Sequence, residues 1–298
     1  GFLHNPITQE IVKNIVSTES ILYFDKHLST TKQIINKILE NVKSRIASKK
    51  AQDAVRKAKK DTHSLALSGK LTECESGTPA KDRELFIVEG ESAGGTGKSC
   101  RDRKTMGILC LKGKPLNSYS SDWHKILANE EISTIIGAIG GKISKSGIEL
   151  DEPEYYKIIF MSDADVDGSH IKLLLLSFFY KYLPDMIKKG HVYIARPPLY
   201  KIKKGKEIFY AYTDPEKETI LKKIGGNPVV QRYKGLGEIN AEQLWQTTMN
   251  PETRVLFQVN IENAEEAAKN FEIFCGKNAE VRRDYIFKHG DEVEEIDT

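Results

Sequence analysis

The chain has no apolar run long enough to span a membrane as a helix. Its longest nearly uninterrupted stretch, residues 173–179, falls far short of the roughly 20 residues that a bilayer requires, and no basic-then-apolar secretory pattern opens the N-terminus. A cytoplasmic location is the expectation. Cysteine is scarce as well. Cys74, Cys100, Cys110 and Cys275 are widely spaced and form no C-x-x-C pair, which argues against a zinc knuckle or a disulfide framework and leaves free thiols. Internal repeats and low-complexity tracts are missing too. No strong excess of one charge exists: 45 Lys and Arg against 42 Asp and Glu give a net charge of +3, so any affinity for nucleic acid depends on where charge clusters. With 298 residues, 39% of them hydrophobic, the chain suits one large or two ordinary globular domains.

Glycine and proline are absent from Gln9 to Lys60, where Ile34, Ile35, Ile38, Leu39, Val42 and Ile46 recur at helical spacing. One or two long helices are predicted there. Their later part is basic: Lys43, Arg45, Lys49, Lys50, Arg56, Lys57, Lys59 and Lys60 are opposed only by Asp53. Such a face is either simply solvated or also meets a phosphate backbone. The Ser-, Thr- and Gly-rich stretch 64–82 marks a predicted domain boundary. Beyond it, 85–88, 158–161 and 191–194 read as buried strands, and Ile171, Leu174, Leu175, Phe178, Phe179 and Tyr182 give one apolar helix face between the last two. Strand, helix, strand predicts an α/β fold on a parallel sheet with flanking helices, preceded by a helical N-terminal segment and followed by a C-terminal tail domain. A Lys-rich hairpin-like stretch follows Arg196-Pro-Pro198, and a helix is predicted from Ala241. The five acidic side chains between Asp291 and Asp297 are expected to fray into solvent.

Two carboxylate clusters close predicted strands: Glu89 and Glu91 after Val88, and Asp163, Asp165 and Asp167 after Met161. In open parallel sheets the strand C-terminal ends form the binding crevice, so both clusters face one cavity in this reading. If 161–167 stays extended, alternation puts the three aspartates on one side. Crowded carboxylates need a cation, and hard oxygen ligands select Mg²⁺, Mn²⁺ or Ca²⁺. The competing reading is an acidic cap on a helix beginning near Ser169. An EF-hand is argued against by Leu174, which stands where a bidentate Glu should close the loop. Gly97-Lys98-Ser99 after a predicted strand also suggests a P-loop, but Ser92 replaces its first glycine and Glu89 and Glu91 would repel a nucleotide.

Five blocks carry a resemblance: Val88-Glu-Gly-Glu-Ser-Ala-Gly-Gly95, Leu111-Lys-Gly-Lys-Pro-Leu-Asn117, Asp163-Ala-Asp-Val-Asp-Gly-Ser-His170, Pro197-Pro-Leu-Tyr200 and Gln231-Arg-Tyr-Lys-Gly-Leu-Gly-Glu238. In order and spacing they resemble the toprim region of type IIA DNA topoisomerase B subunits, more on the gyrase side than the topoisomerase IV side. The resemblance implies that Glu89 is the general acid/base and that Glu89, Asp163 and Asp165, supported by Asp167, hold Mg²⁺, with Mn²⁺ or Ca²⁺ as substitutes. Lys112, Lys114 and Asn117 match the DNA-facing loop; Arg101, Arg103 and Lys104 add to its basic rim, Lys234 is a further contact candidate, and His170 either caps its helix or touches DNA. Double-stranded DNA and an A subunit that carries the tyrosine nucleophile, in an A2B2 heterotetramer, are the implied partners, in a nucleoid-associated complex. The implied domains are 1–79, the end of a transducer domain with a basic helical linker; 80–198, the metal-binding toprim domain; and 199–298, a tail docking the A subunit. The ATP-binding domain of the family has no counterpart here, so no ATP hydrolysis by this chain is expected, and the start at Gly1 favours a truncated subunit. Two departures from the pattern are Glu91, where Asp is commoner, and Cys110, where Pro is.

Overall fold

The Gly- and Pro-free N-terminal stretch folds as two helices, α1 (Pro6–Lys26) and α2 (Leu28–Lys60). Pro6 opens α1, where its missing N–H would be unpaired anyway. At the junction Thr31 Oγ1 donates to the Phe24 carbonyl at 2.9 Å, an acceptor in the last turn of α1, and at 3.0 Å to the His27 carbonyl, which also accepts the Thr31 N–H. The computed structural model describes residues 6–60, 69–144 and 147–292, without the side chains of 47, 48, 50–60 and 291. Most of the basic face of α2, the linker at 61–68 and the acidic tail from 293 therefore lie outside the described residues. The chain divides into two units, residues 1–50 and 51–298.

In the second unit the strongest apolar runs become the centre of one sheet. Its strands are β1 (Leu71–Thr72), β2 (Glu84–Glu89), β3 (Met106–Leu111), β6 (Lys157–Met161), β7 (Val192–Ala195) and β11 (Leu256–Gln258), in the order β1-β3-β2-β6-β7-β11. The four middle strands are parallel, and β1 and β11 add antiparallel edges. Alternation assigns the two faces. Leu85, Ile87, Ile158 and Phe160 pack with Ile132, Ile135, Phe178 and Phe179, which belong to α5 (Glu130–Ala138) and α6 (Val166–Tyr182). Phe86, Val88, Ile159 and Met161 pack instead with Ala93 of α3 (Glu91–Cys100) and with Tyr233, Leu236, Leu244 and Met249. Both faces are thus covered, as a parallel sheet requires.

The remaining elements surround this core. A short helix α4 (Trp123–Ala128) and the hairpin β4 (Lys142–Ile143) and β5 (Ile148–Glu149) lie between β3 and β6, and α7 (Pro184–Lys188) leads from α6 into β7. The Lys-rich stretch forms β8 (Tyr200–Lys204) and β9 (Glu207–Ala211), which with β10 (Val229–Arg232) make a second sheet against α8 (Asp214–Ile224). The predicted helix at Ala241 is α9 (Ala241–Leu244), continued by a π-helical turn, and α10 (Ala264–Cys275) and α11 (Ala279–His289) follow β11.

Candidate metal centre and nucleic-acid interface

Strands β2 and β6 run parallel with Val88 opposite Met161, so Glu89 and the 162–165 turn leave the sheet at the same end. The turn is not the extended segment that alternation suggested. Strand β6 stops at Met161 and α6 begins at Val166, three residues earlier than Ser169. The reason is Asp165: as N-cap its Oδ1 accepts the Gly168 N–H at 2.7 Å, satisfying a donor that the first turn would otherwise leave free. Ser162 Oγ donates to the Gly168 carbonyl at 2.9 Å. Gly168 is needed there for space, since a Cβ would sit 2.2 Å from the Asp163 carbonyl oxygen. The aspartates consequently divide their work: Asp165 caps, Asp163 points from the turn, and Asp167 occupies the first turn of α6.

Asp163 meets the C-terminal part of the chain. Its Oδ1 accepts the Leu236 N–H at 2.7 Å, and a Cβ on Gly235 would come within 2.7 Å of its Oδ2. The Gly-Leu-Gly-Glu block is thereby a wall of the crevice. Burial pushes the Asp163 carboxyl up, the Leu236 bond opposes that, and Asp165 and Glu238 reinforce it. Glu89 is raised by burial and by Asp163, Asp165 and Asp167, with Lys114 opposing. Its Oε2 is buried without a hydrogen-bond partner among the described residues. Lys172, on α6, is lowered by burial while Asp165, Asp163 and Glu89 hold its charge in place. It is an internal counter-cation that the sequence reading missed. Asp165 and Lys172 lie two turns apart on one helix, whose side chains lean towards its N-terminus; that spacing was the available signal.

Among the described residues no three His, Cys, Asp or Glu side chains already converge as a ligand set. The donor chemistry nevertheless fits a hard divalent cation. Glu89 offers an unpartnered buried oxygen, and the turn adds carboxylates whose mutual repulsion a cation relieves.

The basic loop after β3 is tied to both acidic helix starts. Lys112 lies 3.6 Å from Glu91, and Lys114 lies 2.6 Å from Asp167, which holds the Asp167 carboxyl below its usual range. Asn117 faces inward: its Nδ2 donates to the Cys275 carbonyl at 2.9 Å, and its Oδ1 accepts from the Tyr119 and Ser120 N–H groups. It fixes the shape of the loop. Arg101 likewise donates to the Met106 and Lys98 carbonyls, whereas Arg103, Lys104, Lys234 and His170 are exposed. The P-loop alternative fails on geometry. Gly97-Lys98-Ser99 forms the last turn of α3, and Lys98 Nζ donates to the Gly69 carbonyl at 2.9 Å. A helix C-terminus carries the negative end of the dipole and repels phosphate. An EF-hand fails too, because β6 precedes the acidic turn where that motif has a helix.

Acidic residues leaving adjacent parallel strands, beside a basic loop, define a toprim-type domain, and residues 84–197 match the Toprim domain, a divalent-metal-binding fold. Residues 225–287 match the family described as DNA gyrase B subunit, carboxyl terminus. The chain belongs to the type IIA DNA topoisomerase B-subunit family. It is 45% identical to the DNA gyrase B subunit of Archaeoglobus fulgidus over 295 residues, covering 99% of this chain and 46% of that protein. It is 46% identical to the DNA gyrase B subunit of Thermotoga maritima over 298 residues, again covering 99% and 46%. With the DNA topoisomerase 4 B subunit of Bacillus subtilis it shares 44% identity over 294 residues, covering 97% and 45%. The chain therefore spans about half the length of these curated relatives. Among the described residues no helix is long and apolar enough to cross a membrane.

Proposed function

We propose that this chain supplies the metal-bearing half of a site that cleaves and religates both strands of duplex DNA. It works with an A subunit that carries the tyrosine nucleophile, in a cytoplasmic, nucleoid-associated A2B2 assembly whose full activity is gyrase-like, ATP-dependent supercoiling. The observation that carries this reading is the buried, unpartnered Glu89 Oε2 beside the Asp163–Asp167 turn. With the site empty, burial and the three aspartates hold the Glu89 carboxyl above its ordinary range, on the side that favours the acid form. In the acid form Glu89 gives its proton to the leaving deoxyribose oxygen; in religation the carboxylate takes it back. Glu89, Asp163, Asp165 and Asp167 would hold a Mg²⁺ ion, or Mn²⁺ or Ca²⁺ in its place, which would supply charge stabilisation at the phosphate oxygens. The Leu236 N–H orients Asp163, as groups behind metal ligands commonly do. Lys112 and Lys114 contact the DNA backbone, and Asn117 acts through the shape it gives their loop.

The proposed division of labour is a transducer end and basic linker in 1–79, the toprim domain in 80–198 and an A-subunit docking tail in 199–298. The sheet draws on all three, because β1 and β11 form its edges. The test is Mg²⁺-dependent DNA cleavage by the chain mixed with a cognate A subunit at low, stated salt. Glu89→Ala is expected to lower cleavage about 10²- to 10⁴-fold, and a chelator to abolish it. Equal cleavage by wild type and variant removes Glu89 from the chemistry. The similarity to a topoisomerase 4 protein keeps decatenation as the second reading; negative supercoiling by the complete assembly decides for the first.

A further inference from the structure

The loop that presents Lys112 and Lys114 does not stand free. Lys114 Nζ lies 2.6 Å from Asp167 Oδ1, and Lys112 Nζ lies 3.6 Å from Glu91 Oε1. Glu91 and Asp167 occupy the first turns of α3 and α6, the two helices that start beside the crevice. The loop is thus strapped to both acidic starts by its own cations. The function proposed above makes a competing demand on the same groups: each lysine is needed by a phosphate and Asp167 by a divalent ion.

We propose that the Lys114–Asp167 pair is an exchange latch that couples DNA binding to divalent-metal binding. This rests on the cleavage-site reading. With neither ligand present, lysine and carboxylate satisfy one another. A DNA phosphate that takes Lys114 releases Asp167, and a divalent ion that takes Asp167 releases Lys114. Each ligand therefore favours the open pair that the other needs, and linkage makes the effect reciprocal.

Exposure makes the exchange inexpensive. The Lys114 and Asp167 side chains are 46% and 66% exposed, and pairs of this kind are weak enough to be displaced. Lysine also suits the role, because its ammonium is a hydrated point charge on a flexible stem that changes partners without a fixed fork geometry. Lys172 differs: it is half-buried on α6, where Asp165, Asp163 and Glu89 support its charge.

A double-mutant cycle separates a latch from a simple field effect. The chain, assembled with a cognate A subunit, is titrated with a short fluorescent duplex in EDTA, as wild type, Asp167→Asn, Lys114→Gln and the double variant. With Lys114 present, Asp167→Asn is expected to tighten DNA binding roughly two- to fivefold; in the Lys114→Gln background the gain disappears. Equal tightening in both backgrounds overturns the latch and leaves only charge repulsion. Mn²⁺ binding without DNA, read from the free-ion paramagnetic resonance signal, supplies the converse. Lys114→Gln raises Mn²⁺ affinity where Asp167 is present and leaves it unchanged in Asp167→Asn; an equal rise in both also overturns the latch. Wild type that binds neither duplex nor Mn²⁺ sinks the cleavage-site reading itself, and the latch with it.

Discussion

Asp163 Oδ1 accepts the backbone N–H of Leu236 at 2.7 Å, which makes the acidic turn after β6 and the Gly-Leu-Gly-Glu block of the tail a single structural unit. Gly235 is the residue that permits this approach, because a Cβ there would reach within 2.7 Å of Asp163 Oδ2. Gly235→Ala places its clash on the movable end of one side chain, so the fold has room to absorb it. The site does not, since that side chain is the proposed metal ligand. Mn²⁺ affinity is expected to fall about 10- to 100-fold, the range for losing a group behind a metal ligand, while the melting temperature in EDTA stays close to that of wild type. Wild-type Mn²⁺ affinity in Gly235→Ala would refute this role for the tail block.

A second link between tail and sheet is ionic. Arg254 forks onto Glu84 at 2.6 and 2.7 Å, and Lys157 adds a bond at 2.9 Å; the Arg254 and Glu84 side chains are only 5% and 10% exposed. Burial opposes ionisation of Glu84, but the bonds to Arg254 and Lys157 overcome it and hold the carboxyl below its usual range. A carboxyl depressed in the folded state contributes stability that is present above its unfolded pKa and lost as pH falls through the folded value. Arg254→Met leaves a buried carboxylate with one of its two cations. A loss of about 3 kcal/mol in urea unfolding at neutral pH is expected, with the gap to wild type narrowing below roughly pH 4. A gap that stays constant into acid would show that Arg254 stabilises by packing alone.

How far the sequence could be read follows from which contacts are local. Strands β2, β6 and β7 were legible because burial on both faces leaves their apolar runs unpunctuated, and α6 because its apolar face repeats. Strand β3 was missed. It carries Gly107, which weakens a strand pattern, and the reason for that glycine is Tyr155, whose ring a Cβ would meet at 2.8 Å, a partner remote in sequence. The edge strand β1 has two residues and owes its existence to pairing with β3. Within the site, the acidic residues and the basic loop were visible as motifs. Their division of labour was not, because capping by Asp165 competes with strand alternation and only the folded backbone decides between them. The place of Glu238 near Asp163 was equally hidden, since it depends on the long-range approach of the tail.

Glu89 and Asp163 make the metal-free protein carry a cost that pH exposes. Both carboxyls are raised in the folded state, Glu89 by burial and three neighbouring aspartates, Asp163 by burial, Asp165 and Glu238. For a group whose folded pKa exceeds its unfolded value, the folded chain holds the extra proton, so stability falls as pH rises from the unfolded through the folded pKa. Glu89→Gln removes one such group while keeping its shape. In EDTA at neutral pH this variant is expected to melt a few degrees above wild type, and the difference should vanish below about pH 3, where the carboxyl is protonated in both states. Mg²⁺ or Mn²⁺ should then reverse the order, because ligand binding to the folded state raises stability by mass action and the variant lacks one of the proposed ligands. Thermal melts across pH, with and without metal, read all three expectations; a wild type that melts above Glu89→Gln in EDTA at neutral pH would contradict the charge-crowding account. The residue that weakens the empty site is then the one the proposed cleavage chemistry needs, a trade expected where a fold stores charge for a ligand.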